Sequence, residues 1–270
     1  MKDALGDRMK SNYESCTRTF LPRRNYTLIR VDGRAFHTLT RTMEKPFDQG
    51  FICAMNATAE YLCQNIMGAQ FAFTQSDEIS VLVTDFARIG TEAWYGNNLQ
   101  KMCSVSAGLA TEAFNKSRIL NFIKSFNWNN SLYNEYSKSE ELLNSLEHYI
   151  SWGVFDSRVF QIPQRTEVIN YFRWRQQDTV RNSISSVAHS LYSQKELQGK
   201  NSSQLQELIF QKGTNWNELD AGLKRGRVTV KTSDGRGFLT HGAPDFIKED
   251  GISFMSEKVL VNEITFDDKI

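Results

Sequence analysis

Two runs of alternating apolar and polar residues, joined at Gln75-Ser76-Asp77-Glu78 within residues 69 to 84, constrain this chain more than any other stretch. Phe71 and Phe73 precede the acids, and Ile79, Val81 and Val83 follow them. A period of two on both sides of a short polar break predicts a β-hairpin with Asp77 and Glu78 at its tip. Turn acids are ordinarily solvated, with the aspartate hydrogen-bonded to its own backbone. A second acid in a comparable setting changes that reading.

The second acid is Asp32. Residues 26 to 33 form a nearly continuous apolar run that stops on Asp32 and Gly33, which reads as a central strand ending on a carboxylate. Lys45-Pro46-Phe47-Asp48 then opens a helix with proline in its first turn, and Phe51, Met55, Ala59, Leu62 and Ile66 give it an apolar face before Gly68. A second helix is predicted over 97–114, with Leu99, Met102, Cys103, Ser106, Leu109 and Ala110 on one face. Residues 154–162 read as a strand closed by Pro163. The order strand, helix, strand, strand, helix, strand is the ferredoxin-like βαββαβ unit of the α+β class, with both helices on one face of an antiparallel sheet.

Around that unit the pattern is looser. Residues 1–20 carry a weak helical spacing, and the Asn- and Ser-rich stretch 115–151 reads as a surface insertion with one short helix at 140–149. A long helix is predicted over 166–191 and a short one near 203–210. Strands are predicted at 227–231, leading into a turn at Ser233-Asp234-Gly235, and at 254–262.

A net charge of +1 gives no global basic field, so a polyanion would have to meet a local patch, such as Arg173 with Arg175 and Arg181, or Lys224-Arg225-Gly226-Arg227. The four cysteines have neither Cys-x-x-Cys spacing nor a histidine at zinc-ligand spacing, so reduced thiols are expected. No apolar run approaches the ~18 residues of a membrane span, and no apolar signal core opens the chain. An intracellular, cytoplasmic protein with no membrane partner is expected.

In a βαββαβ sheet the first strand lies beside the central hairpin, which brings Asp32 next to Asp77. Oxygen ligands without Cys or His favour a hard divalent cation, and Gly33 lets its backbone carbonyl approach as a further ligand. A metal held by a few carboxylates with open positions is how proteins bind nucleoside triphosphates. Two ions ~3.5–4 Å apart would activate a hydroxyl and stabilise leaving pyrophosphate. Arg34, Lys45 and Lys101 are candidate phosphate partners, with the backbone of Arg34, Ala35, Phe36 and His37 as a cradle.

Five ordered motifs carry a family resemblance. Val31-Asp32-Gly33-Arg34-Ala35-Phe36-His37, Lys45-Pro46-Phe47-Asp48, Gln75-Ser76-Asp77-Glu78, Phe155-Asp156-Ser157-Arg158 and Tyr171-Phe172-Arg173-Trp174-Arg175-Gln176-Gln177-Asp178 together resemble the tRNA-His guanylyltransferase family. Within it the chain is most similar to the guanylyltransferase-like proteins. The resemblance implies a polymerase-type palm that adds nucleotides to the 5′ end of RNA in the 3′-to-5′ direction. It also implies two Mg²⁺ ions, ATP and GTP as substrates, tRNA as partner and a homotetramer.

Carried over by motif, Asp32, Asp77 and Glu78 would be catalytic, and the metals would sit on Asp32, Asp77 and the Gly33 carbonyl. Nucleotide and phosphate would meet Gly33, Arg34, Ala35, Phe36, His37, Lys45, Asp48, Ser76 and Lys101. Arg175, Arg181, Asn182, Lys212 and Arg225 would face RNA. The palm would occupy 1–165, with the 115–151 insertion, and 166–270 would form a helical and β-hairpin region packed on it. Strict tRNA-His enzymes carry a His-Ile-Asn-Asn tetrapeptide where this chain has Val180-Arg181-Asn182-Ser183. That departure implies templated repair of 5′-truncated tRNAs; addition of a single G to tRNA-His, a non-catalytic RNA-binding palm and a nucleotide cyclase remain as alternatives.

Overall fold

The computed structural model of the protein describes residues 3–125 and 152–262. The helix expected over 140–149 and most of the 115–151 stretch lie outside them. Strand β1, Tyr26–Gly33, sends Tyr26 and Leu28 to one side of the sheet and Ile29 and Val31 to the other, all of them buried. Cover on both faces is why it reads as a continuous apolar run rather than an alternating one.

Strands β2 (Ala69–Gln75) and β3 (Glu78–Val83) form the predicted hairpin, and β4 (Phe155–Ile162) pairs antiparallel with β1. The sheet runs β4-β1-β3-β2 and continues through β5 (Arg227–Lys231) and β6 (Phe238–Gly242). The first four strands have the predicted ferredoxin-like order.

Ahead of the sheet lies the short helix α1, Ala4–Met9, and after β1 comes a single helical turn, α2, Phe36–Leu39. Helix α3, Gln49–Asn65, starts later than expected. The Asp48 carboxylate accepts the Phe51 N–H at 2.7 Å and caps the helix there, leaving Pro46 outside it after a cis Lys45–Pro46 bond. Helix α4, Leu99–Ser125, continues past the predicted end at 114. It packs with α3 on one face of the sheet around Met55, Leu62, Met102 and Phe114.

The opposite face is covered by α5, Arg165–Leu191, and by the C-terminal segment, through Phe172, Phe246 and Met255. The short helices α6 (Gln194–Leu197), α7 (Ser202–Gln211) and α8 (Ala221–Arg225) lead back to β5, and α7 packs on α5 through Ile209. The strand predicted over 254–262 does not form. Met255 and Val259, four residues apart and both fully buried, belong to a helical periodicity, and residues Glu249–Lys258 make helix α9. No helix among the described residues is long and apolar enough to cross a membrane.

Candidate active site

Asp32 ends β1 and lies in register with Glu78, the first residue of β3. The hairpin turn is therefore the two residues Ser76 and Asp77, with Gln75 facing Glu78 across it and Ser76 in the left-handed region at φ 43°. The Gly33 N–H donates to the Asp77 carbonyl at 3.1 Å, which ties the end of β1 to the turn. A Cβ at Gly33 would stand 2.5 Å from the Phe36 ring, so only glycine fits the bend into α2.

Burial pushes the Asp77 carboxyl above its ordinary range, and the neighbouring Asp32 and Glu78 charges push it further, against hydrogen bonds from its own backbone and Ser76. Two carboxylates set side by side with one held largely out of water fit a hard divalent cation, which would relieve both strains. Among the described residues no cluster of three or more acids, histidines and cysteines gathers to hold a metal, so an ion at Asp32 and Asp77 would need further ligands from a substrate.

Glu78 is not part of that pair, which corrects its assignment as a catalytic acid. Its two oxygens accept the Arg175 guanidinium, Nε and Nη2 each at 2.8 Å, and Arg30 Nη2 reaches the same carboxylate at 2.5 Å. With both oxygens engaged, Glu78 positions rather than reacts. Arg175 is corrected with it: its side chain is only 6% exposed and also holds Asp178 at 3.2 Å, so it is committed to the interior instead of to RNA. Arg30, which also reaches Asp32 at 3.4 Å, was hidden in the apolar strand run.

Beside Asp77 a cleft of about 320 Å³ is lined by Gly33, Ala35, His37 and Ser76, with Phe36 and Phe51 behind. Ala35 is left-handed at φ 55°, which turns the chain into α2 and its backbone toward this cleft. Arg34 leaves it, donating its N–H to the Val154 carbonyl at 2.8 Å. A second cavity of about 260 Å³ shares Thr40, Phe51 and Ser76 with the first and is walled by Lys45, Asp48 and Asn182. Lys45 Nζ donates to the Thr40 carbonyl at 2.9 Å, and the Asp48 oxygens accept backbone N–H groups of Phe51 and Glu44.

Lys101 lines neither cavity. Asn97 bonds Pro22 just before α4, whereas Thr111 and Asn115, midway along the helix, bond Phe155 and Gly153 beside the Asp32 end of β1, so Lys101 in the first turn lies away from Asp32. Arg181 and Asn182 are exposed on α5, Arg181 paired with Asp178 at 2.9 Å. Lys212 lies 5.2 Å over the Tyr192 ring, and Arg225 Nε reaches the Ala243 carbonyl at 3.5 Å. Gln75 and Thr179, bonded at 2.8 Å, also line the second cavity; neither had a sequence signal beyond its place beside a motif.

An antiparallel βαββαβ sheet with Asp32 near the end of β1 and Asp77 in the adjoining hairpin turn, beside a cleft, is a palm-type architecture. The family model of tRNAHis guanylyltransferase, Thg1, matches residues 6–163. The chain belongs to the tRNAHis guanylyltransferase family, an enzyme family of nucleotidyltransferases. A bacterial tRNA(His) guanylyltransferase (Thg1)-like protein solved in complex with ATP superposes with a TM-score of 0.78 at 37% identity, over 96% of this chain and 100% of that one. A bacterial Thg1-like protein in complex with GTP gives 0.72 at 34% identity over the same shares. The probable tRNA(His) guanylyltransferase of Drosophila melanogaster is 27% identical over 219 residues, 76% of this chain and 67% of that one.

Proposed function

We propose that the protein transfers nucleotides to the 5′ end of tRNA in the 3′-to-5′ direction and that its substrates are 5′-truncated tRNAs extended against a template. The observation that carries the reading is the Asp32–Asp77 pair at the mouth of the cleft formed by Gly33, Ala35, His37 and Ser76. Solved relatives of this chain are complexes with ATP and with GTP, which supports a nucleotide as the occupant of the cleft.

Asp32 and Asp77 would hold Mg²⁺, which when bound supplies charge for the phosphates and lowers the pKa of a coordinated hydroxyl. The chain's own part is positioning. Arg30 and Arg175 fix Glu78 and so the start of β3, the Gly33 N–H fixes the turn, and Ser76, on the cleft wall, hydrogen-bonds the Asp77 carboxylate. Of Val180-Arg181-Asn182-Ser183, Arg181 and Asn182 are exposed on α5, while Ser183 is buried and accepts the Trp216 Nε1–H at 3.0 Å; the departure from the tetrapeptide favours template-directed repair over recognition of one tRNA.

A panel of 5′-truncated tRNAs and full-length tRNA-His, each offered single NTPs with Mg²⁺ and read at nucleotide resolution, tests this. Extension of several truncated tRNAs, each by the nucleotide its opposite strand encodes, is the expected outcome. Use of tRNA-His alone, with one G added, would replace the repair reading by the single-addition activity for which several relatives are named.

A further inference from the structure

Arg30 stands among the site carboxylates, at the end of β1 where a metal would be held. Leu28, Arg30 and Asp32 alternate onto the same face of the strand, the face that α5 covers. Register sets Arg30 between Ser80 of β3 and Arg158 of β4, and Asp32 between Glu78 and Asp156. A row of two arginines therefore lies beside a row of three acids, and like charges set directly opposite one another repel. Arg30 Nη2 stands between the rows, 2.5 Å from Glu78 Oε2 and 3.4 Å from Asp32 Oδ2. Arg158 reaches Asp156 of its own strand, at 4.0 Å.

Glu78 does not need this cation, because Arg175 already donates Nε and Nη2 to its two oxygens at 2.8 Å each. Ser80, the neutral neighbour across the sheet, is bonded to the Tyr171 hydroxyl at 2.8 Å, and Arg30 Nε is buried with no hydrogen-bond partner among the described residues. A guanidinium placed for its hydrogen bonds would not leave that donor empty, since an unpaired buried donor is costly. What the position supplies is charge beside Asp32, whose acid neighbours are Glu78, Asp77 and Asp156. A divalent cation held ~2.1 Å from the same Asp32 oxygen would lie no more than about 5.5 Å from the arginine nitrogen, where the two positive charges repel. The negative charge of a triphosphate offsets that repulsion.

We infer that Arg30 is a positioning residue that serves as the resident counter-ion of Asp32 in the metal-free chain, so that a divalent cation has to compete with it for the carboxylate. The inference rests on the metal and nucleotide reading above and adds an order to it. Metal alone binds weakly, and metal arriving with a triphosphate binds well, because the triphosphate charge relieves the repulsion from Arg30.

Calorimetric titration of Mg²⁺ and of Mn²⁺ into the full chain, free of nucleotide and RNA, tests it in the wild type, Arg30→Met, Arg30→Lys and Asp32→Asn. Arg30→Met is expected to bind either ion about tenfold tighter than wild type, and Arg30→Lys, which keeps the charge, to stay within about threefold of it. Thermal melting gives a second readout: metal-free Arg30→Met should melt below wild type, and Mg²⁺ should raise its melting temperature by more. If Arg30→Met does not fold, Arg30→Gln, which keeps a donor for Glu78, carries the same expectation. An arginine with a structural role alone predicts lower melting with unchanged metal affinity, and that result would overturn the inference. ATP binding in EDTA is expected to stay within about twofold of wild type in the neutral variants, and an about tenfold loss there would make Arg30 a phosphate ligand and overturn the inference instead. Either of these results, with metal binding abolished by Asp32→Asn, would leave the metal site standing. Failure of all four chains to bind either ion would remove the metal assignment as well.

Discussion

Asp77 keeps a carboxyl where burial and two neighbouring acids oppose its charge, and a chain free to relieve that cost would put an amide there. Asp77→Asn removes the buried charge, so the metal-free protein should melt no lower than wild type. The same change should reduce NTP incorporation into RNA about a thousandfold, roughly 4 kcal/mol of lost stabilisation, and Asp32→Asn should match it. Thermal melting with and without Mg²⁺ separates the two effects. Added Mg²⁺ should raise the melting temperature of the wild type and leave that of the doubly substituted chain unchanged. A metal shift that survives in the double variant would move the ion site elsewhere.

The element that holds this pair in place is the junction of β3 and α5, made by Glu78 and Arg175, both side chains 6% exposed. Removing one partner of a buried ion pair strands the other, at about 3–5 kcal/mol. Glu78→Gln and Arg175→Met should each lose about that much stability in urea denaturation, and Arg175→Lys should fail to restore it, because an ammonium cannot make the two-pronged contact. Glu78→Gln that kept full stability but lost turnover would return Glu78 to the reacting centre.

The hairpin and the strand carrying Asp32 were legible in the sequence because their periodicity is local. The arginine partners were not, since Arg30 sits inside an apolar run and Arg175 inside a motif that reads as exposed and basic. Lys101 was misplaced for a related reason: spacing predicts a helix but not which of its ends meets the active site. The capping role of Asp48 outweighed Pro46 as a start signal, and Met255 with Val259 decided helix over strand.

The whole molecule ties its C-terminal third into the same sheet, since β5 pairs with β2 and extends the order β4-β1-β3-β2 by two strands. The face of the palm that carries Leu28, Phe71, Phe73 and Leu82 is closed by Phe172, Phe246 and Met255, all beyond residue 165. These four side chains are 0–1% exposed. Uncovering them would cost about 6–12 kcal/mol at roughly 1.5–3 kcal/mol for each fully buried side chain, which is the whole stability of an ordinary domain. It would also leave β2 as an open apolar edge. A chain ending at residue 164 is therefore expected to aggregate and to show no cooperative unfolding, despite containing every strand of the βαββαβ unit and both site aspartates. Sedimentation and thermal unfolding of that fragment beside the full chain provide the check, and a soluble monomer with a sharp transition would show that the palm stands alone. On the packing described, the parts on either side of residue 165 are expected to unfold together. The wall of the second cavity that α8 and β5 build then depends on the same strand pairing that stabilises the palm.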